Sequence, residues 1–178
     1  RAVELGKKYG VQIYVGKSLG EKNGTIICSE EKCMEKKLIT GISINENTAM
    51  ISIENIPTYA SNVYTIFKSA ERHGVNIDMI SRNDVTAANG SMAFTCPKTD
   101  KTALDKTIEE IKNAFPNINV DINTNVVKMS LVGIGMISNI GIASRVFKVF
   151  AENNISFHQV STSEISISLI INSGDKEK

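Results

Sequence analysis

The chain has 178 residues, 42% of them hydrophobic and 22% charged, and a formal net charge of +1. That supports one domain or two small ones with a true core, and the interspersed charges give neither a basic footprint for nucleic acid nor a polybasic run for an acidic membrane. No apolar stretch is long enough to span a bilayer as a helix, and no secretory signal is visible. The odd set of cysteines, Cys28, Cys33 and Cys96, has no framework spacing, which points to a reducing, cytoplasmic compartment. Cys28 and Cys33 lack a nearby second ligand pair, since only the distant His73 and His158 are available, so no metal site is expected. The start at Arg-Ala-Val, without Met, reads as a trimmed or partial polypeptide.

In chain order, residues 2–9 read as the end of a helix stopped by Gly10, followed by a strand at 11–15, a turn-rich loop and a short strand at 25–28. Residues 29–37, SEEKCMEKK, are charged and read as a linker. LITGISI (38–44) and AMISIENI (49–56) are apolar and β-branched enough for strands, with a turn expected at Asn45-Glu46-Asn47. Val63, Ile66, Phe67 and Ala70 then form one helical stripe, ended by His73-Gly74. Strands are expected at 75–81 and 91–97. A second helix follows, with Leu104, Ile108, Ile111 and Phe115 on one face, capped by Thr99-Asp100 and stopped by Pro116. INVDIN (118–123) is a further strand.

After residue 126 the pattern begins again. AMISIENIPTYASNVYTIFKSAERHGVNIDMIS (49–81) aligns without a gap on MSLVGIGMISNIGIASRVFKVFAENNISFHQVS (129–161), Phe67 on Phe147 and Ser81 on Ser161. The second repeat's helix carries Ala143, Val146, Phe147 and Phe150 on its stripe, and ISISLIIN (165–172) is the last strand. The first repeat reads β-α-β-β-α-β, an α+β order that makes a ferredoxin-like sandwich of antiparallel strands with helices on one face. The second repeat stops short. Either residues beyond Lys178 complete it or another segment does, and LITGISI is a spare strand.

No active-site signature is present. GIGMISNIG (133–141) resembles a dinucleotide fingerprint only loosely and lacks the rest of that unit. Each repeat does have a strand-to-helix turn, ENIPTYASN and GIGMISNIG, and a helix N-terminus suits a small carboxylate. Asp78 and Ser81 are expected near the first turn, where a carboxylate would hold an ammonium. That makes a free amino acid the natural ligand. The plain alternative stands equally: Ser61 and Asn62 as helix caps and Asp78 as a solvated strand residue. Ser161, Ser163 and Glu164 read either as an exposed hairpin or as the lining of a pocket or subunit contact.

RAVELGKKYGVQIYV, ITGISINENTAMISI, NIDMIS with SMAFTCP, and KMSLVGIGMISNIGIASRVFKVFAENNIS with STSEISIS resemble the regulatory region of aspartate kinases, with tandem ACT domains. The resemblance implies the end of the catalytic domain at 1–28, a linker at 29–37, a first ACT domain at 38–125 and a second, incomplete one at 126–178. It implies feedback inhibition by lysine and/or threonine in an enzyme that phosphorylates aspartate with ATP and Mg2+. The nucleotide motif is missing here, so this stretch should not catalyse and needs no cofactor itself. By position, the effector contacts would be Ser61, Asn62, Asp78, Ser81, Arg82 and Asn83 in the first repeat. In the second they would be Met136, Ser138, Asn139, Gly141, Ile142, Ser163 and Glu164. The expected partners are the effector, the protein's own catalytic domain and a second copy joined through the ACT sheets, with no nucleic acid and no membrane. The chain departs from the family where IPTYAS lacks an acid, at Arg82-Asn83, and at His158. A purely structural dimerisation module stays open as the alternative.

Overall fold

The computed structural model describes residues 1–19, 24–29, 39–83, 89–133 and 140–178, and the chain falls into two compact units, 1–37 and 38–178. In the first unit, helix α1 (Ala2–Tyr9) precedes an antiparallel pair, β1 (Ile13–Val15) and β2 (Thr25–Ile27). Gly10 ends α1 in the left-handed region, at φ 65°, and donates its N–H back to the last turn. A glycine takes that conformation without steric cost.

The second unit is built on one antiparallel six-stranded sheet. Its strands are β3 (Gly41–Pro57), β4 (Ile80–Asn83), β5 (Asn89–Cys96), β6 (Asn119–Val132), β7 (Phe157–Thr162) and β8 (Ser166–Asn172). They lie in the order β4-β5-β3-β6-β8-β7. Among the described residues it also carries helices α2 (Ala60–Arg72), α3 (Lys101–Ala114) and α4 (Ile142–Glu152). The two central strands are long and serve both halves. Residues 49–57 of β3 pair with β5, and Gly41–Asn45 pair with Lys128–Val132 of β6. Conversely, Asn119–Asn123 of β6 pair with Met50–Glu54, while Val126–Val132 pair with β8. The spare run before Asn45 thus lies beside the second repeat, and the start of β6 lies beside the first.

The turn expected at Asn45-Glu46-Asn47 is instead a bulge inside β3. The Asn47 N–H donates to Asn45 Oδ1 at 3.0 Å, and Thr48 Oγ1 donates to the Asn45 carbonyl at 3.1 Å. The local side-chain chemistry is that of a turn, but the ladder to β6 resumes at once, with a one-residue slip. β6 repeats the device at Asn123-Thr124-Asn125, where the Asn125 N–H donates to Asn123 Oδ1 at 2.9 Å.

Two apolar cores cover one face of the sheet. Ile51, Ile53, Met92 and Phe94 meet Ile66 and Ala70 of α2 and Leu104, Ile108 and Ile111 of α3. Phe67 meets Phe94 edge to face, with centroids 6.1 Å apart. Val127, Leu131, Ile167, Leu169 and Ile171 meet Ile142, Val146 and Phe150 of α4. A third cluster, Met79, Val126 and Ile170 with Met50 against it, sits apart from both. Between α2 and α3, Glu110 contacts Arg72, and His73 Nε2 lies 2.8 Å from Glu110 Oε2.

Candidate functional site

At one end of the sheet, β3 delivers the chain through Pro57 and Thr58 into α2. Tyr59, not Ser61 or Asn62, occupies the N-cap, and it makes no side-chain cap bond. Asn62 braces the turn instead, donating from Nδ2 to the Pro57 carbonyl at 3.1 Å. Ser61 is exposed, and its carbonyl accepts from Thr65 Oγ1. Arg82 crosses from β4 to the same turn, donating from Nη2 to the Thr58 carbonyl at 2.6 Å. Ser81 is half-buried and Asn83 exposed on the same short strand. The turn therefore joins a helix N-terminus to a guanidinium, both suited to an anion.

Asp78 is elsewhere. Its N–H donates to the Thr95 carbonyl, while the turn to α2 lies beyond Asn89. The length of β5 between those levels is about 20 Å at ~3.3 Å per residue. The single cluster expected around the first turn thus comes apart into two places. Asp78 walls a cleft of about 230 Å³ with Asn45, Asn47, Asn76 and Thr95, beside the β3 bulge. Its carboxylate is also engaged: Lys128 Nζ on β6 donates to Asp78 Oδ2 at 2.6 Å.

In the second repeat, Gly141 takes φ 89° at the N-cap of α4, and Ile142 opens the helix, buried. Ser163 and Glu164 form the β7–β8 turn, where the Ser163 N–H donates to the Ser166 carbonyl at 2.8 Å and the two hydroxyls lie 2.8 Å apart. The Gly133 N–H donates to the Ile165 carbonyl at 2.9 Å, so this turn stands at the end of β6. Met136, Ser138 and Asn139 lie outside the described residues. Among the described residues no group of His, Cys, Asp and Glu could hold a metal ion, and no helix is long and apolar enough to cross a membrane.

Two residues escaped the sequence reading. Lys128 is a lone charge inside the apolar run VVKMSLV, which was the available signal. Gln159 aligns with Met79 between the repeats, a polar residue at an apolar position. It is 4% exposed, and its amide has no hydrogen-bond partner among the described residues.

Residues 129–178 match the ACT domain family. The aspartokinase of Geobacillus stearothermophilus is 36% identical over 172 residues, covering 96% of this chain and 41% of that protein. A crystal structure of aspartokinase alpha and beta subunits holds a chain 30% identical, with a TM-score of 0.69, covering 78% of this chain and 91% of that one. The Clostridium acetobutylicum aspartate kinase is 26% identical with a TM-score of 0.82, covering 99% of this chain and 42% of that one. This chain spans about two fifths of the length of the curated relatives it matches. With two helix-covered repeats on one ferredoxin-like sheet and these likenesses along it, the chain belongs to the aspartokinase family, within its ACT-domain regulatory region.

Proposed function

We propose that this chain is the amino-acid-sensing part of an aspartate kinase, with lysine the first effector to test and threonine the second. The parent polypeptide would phosphorylate the aspartate side chain with ATP and Mg2+, held by a catalytic domain whose end would be residues 1–28. This stretch would not catalyse; it would shift the parent toward an inactive state by binding its effector more tightly there.

The observation that carries the reading is the Arg82–Thr58 contact, which joins a helix N-terminus and a guanidinium where an α-carboxylate would sit. The matching acid for the α-ammonium is Asp78, but within one copy it is about 20 Å away along the strands. A second copy would resolve this. β4 is an edge strand with Ile80 exposed, and edges invite pairing. Antiparallel two-fold pairing of β4 with its equivalent would bring the Asp78 end of one copy toward the α2 turn of the other. Effector binding and dimerisation would then be one event.

Thermal melting of the chain with lysine, threonine and methionine tests this. A native-state ligand at a hundredfold excess over Kd adds about 2.7 kcal/mol of stability, and that gain should grow with protein concentration if two copies share the site. A dimer whose melting temperature none of the three amino acids moves would favour the purely structural role.

A further inference from the structure

Lys128 contacts one acceptor, Asp78, and stands two strands from a second, the Gln159 amide. Its ammonium is 2.6 Å from Asp78 Oδ2, with side-chain exposures of 20% and 48%. On its other side, Lys128 pairs with Ile170 of β8, and Ile170 pairs with Gln159 of β7. Directly paired residues point to one face of a sheet, and two strand spacings are roughly 10 Å. Extended lysine and glutamine side chains span that distance together. Gln159 is buried, yet among the described residues neither Oε1 nor Nε2 has a hydrogen-bond partner, which is rare and costly for a native amide. Its neighbour His158 does not relieve it, since His158 Nε2 lies 2.8 Å from Asn172 Oδ1. Met79, adjacent to Asp78, packs on Val126 and on Ile170, the residue that pairs with both Lys128 and Gln159.

We infer that Lys128 is a two-position switch between the repeats. Without effector it neutralises Asp78 of the first repeat. An effector ammonium takes Asp78, and Lys128 turns to Gln159 Oε1 on the edge strand of the second repeat. The effector step rests on the reading above that an amino acid uses Asp78. The exchange gives the two repeats a shared element with two discrete arrangements, which coupling between sites requires.

The test has a ligand-free arm and an effector arm, both on the 178-residue chain. In the first, Asp78→Ala frees Lys128, and the Gln159 side-chain amide resonance should move. In Asp78→Ala with Lys128→Met it should return toward its wild-type position. The same Gln159 resonance in the single and double variants would overturn the switch, whatever the effector does. In the second, with lysine as the probe, Gln159→Met should weaken binding about tenfold, the low end for a hydrogen bond to a charged group. Lys128→Met should tighten binding, because Asp78 loses its internal competitor. A buried glutamine that only costs stability would raise the melting temperature of Gln159→Met and leave lysine affinity unchanged, and that result overturns the proposal. If the wild type binds neither lysine nor threonine, the sensing reading falls and the ligand-free arm alone decides the switch.

Discussion

Leu169→Ala probes whether the two repeats are separate folding units. Leu169 is fully buried in the core under α4, between Ile167 and Ile171 on the same face. Removing its outer carbons costs about 2.4 kcal/mol at roughly 0.8 per carbon. A cavity left under Val146 and Phe150 raises this to about 3–4 kcal/mol. The loss should not stay in the second repeat. β3 and β6 each give one half to either core, so opening the second core unpairs strands that the first also uses. Native-state amide exchange reads this directly. The Phe94 and Ile171 amides, one in each core, should both lose about 3 kcal/mol of protection. Wild-type protection at Phe94 beside lost protection at Ile171 would refute the reasoning and make the repeats independent.

Two further outcomes follow from the titrating groups. Burial would raise Glu110, but hydrogen bonds from His73 and Ser69, with the Arg72 charge, outweigh it and hold its carboxyl below the ordinary glutamate value. Its contribution is therefore complete above the unfolded pKa and lost as pH falls through the lowered one, so Glu110→Gln should flatten the melting temperature against pH in that acid range. Cys96 is 2% exposed, and burial, with Asp100 adding to it, pushes its thiol up to about 11. A thiol reagent at neutral pH should label it only as fast as the native state opens, which mass spectrometry of the Cys96 peptide against time would check.

The helices were legible because their apolar positions recur at the helical period: Val63, Ile66 and Ala70, then Leu104, Ile108 and Ile111, then Val146, Phe147 and Phe150, pack where the stripes said, while Ala143 is exposed and Ile142 takes the buried place. The site was less legible. Asp78 precedes Ser81 and Arg82 by a few residues, and the reading set them together. A strand advances ~3.3 Å with each residue, so a few positions carry a side chain from one end of a site to the other. Lys128 and Gln159 were missed for a different reason. Their meaning depends on which strands stand side by side, and the order β3-β6-β8-β7 is not a local property of the chain.

One clue to that order was present in the spelling of β3 and β6. In LITGISI the later apolar residues, Ile42 and Ile44, are even-numbered, whereas in AMISIENI Ala49, Ile51 and Ile53 are odd. β6 makes the same change, from Val120 and Ile122 to Val127, Met129 and Leu131. A regular strand cannot put both sets on one face, because its side chains alternate strictly. The structure keeps them on one face by adding a residue at each change, at Asn45–Thr48 in β3 and Asn123–Val126 in β6. Ile42 and Ile44 then pair with Leu131 and Met129 beside the second core, while Ile51 and Ile53 pair with Ile122 and Val120 beside the first. A break in alternation flanked by Asn can therefore mark a strand passing from one core to the next, where a turn would be the ordinary reading. The two breaks also coincide with the place where Lys128 meets Asp78, so the joint that lets two cores share their strands carries the contact between the repeats.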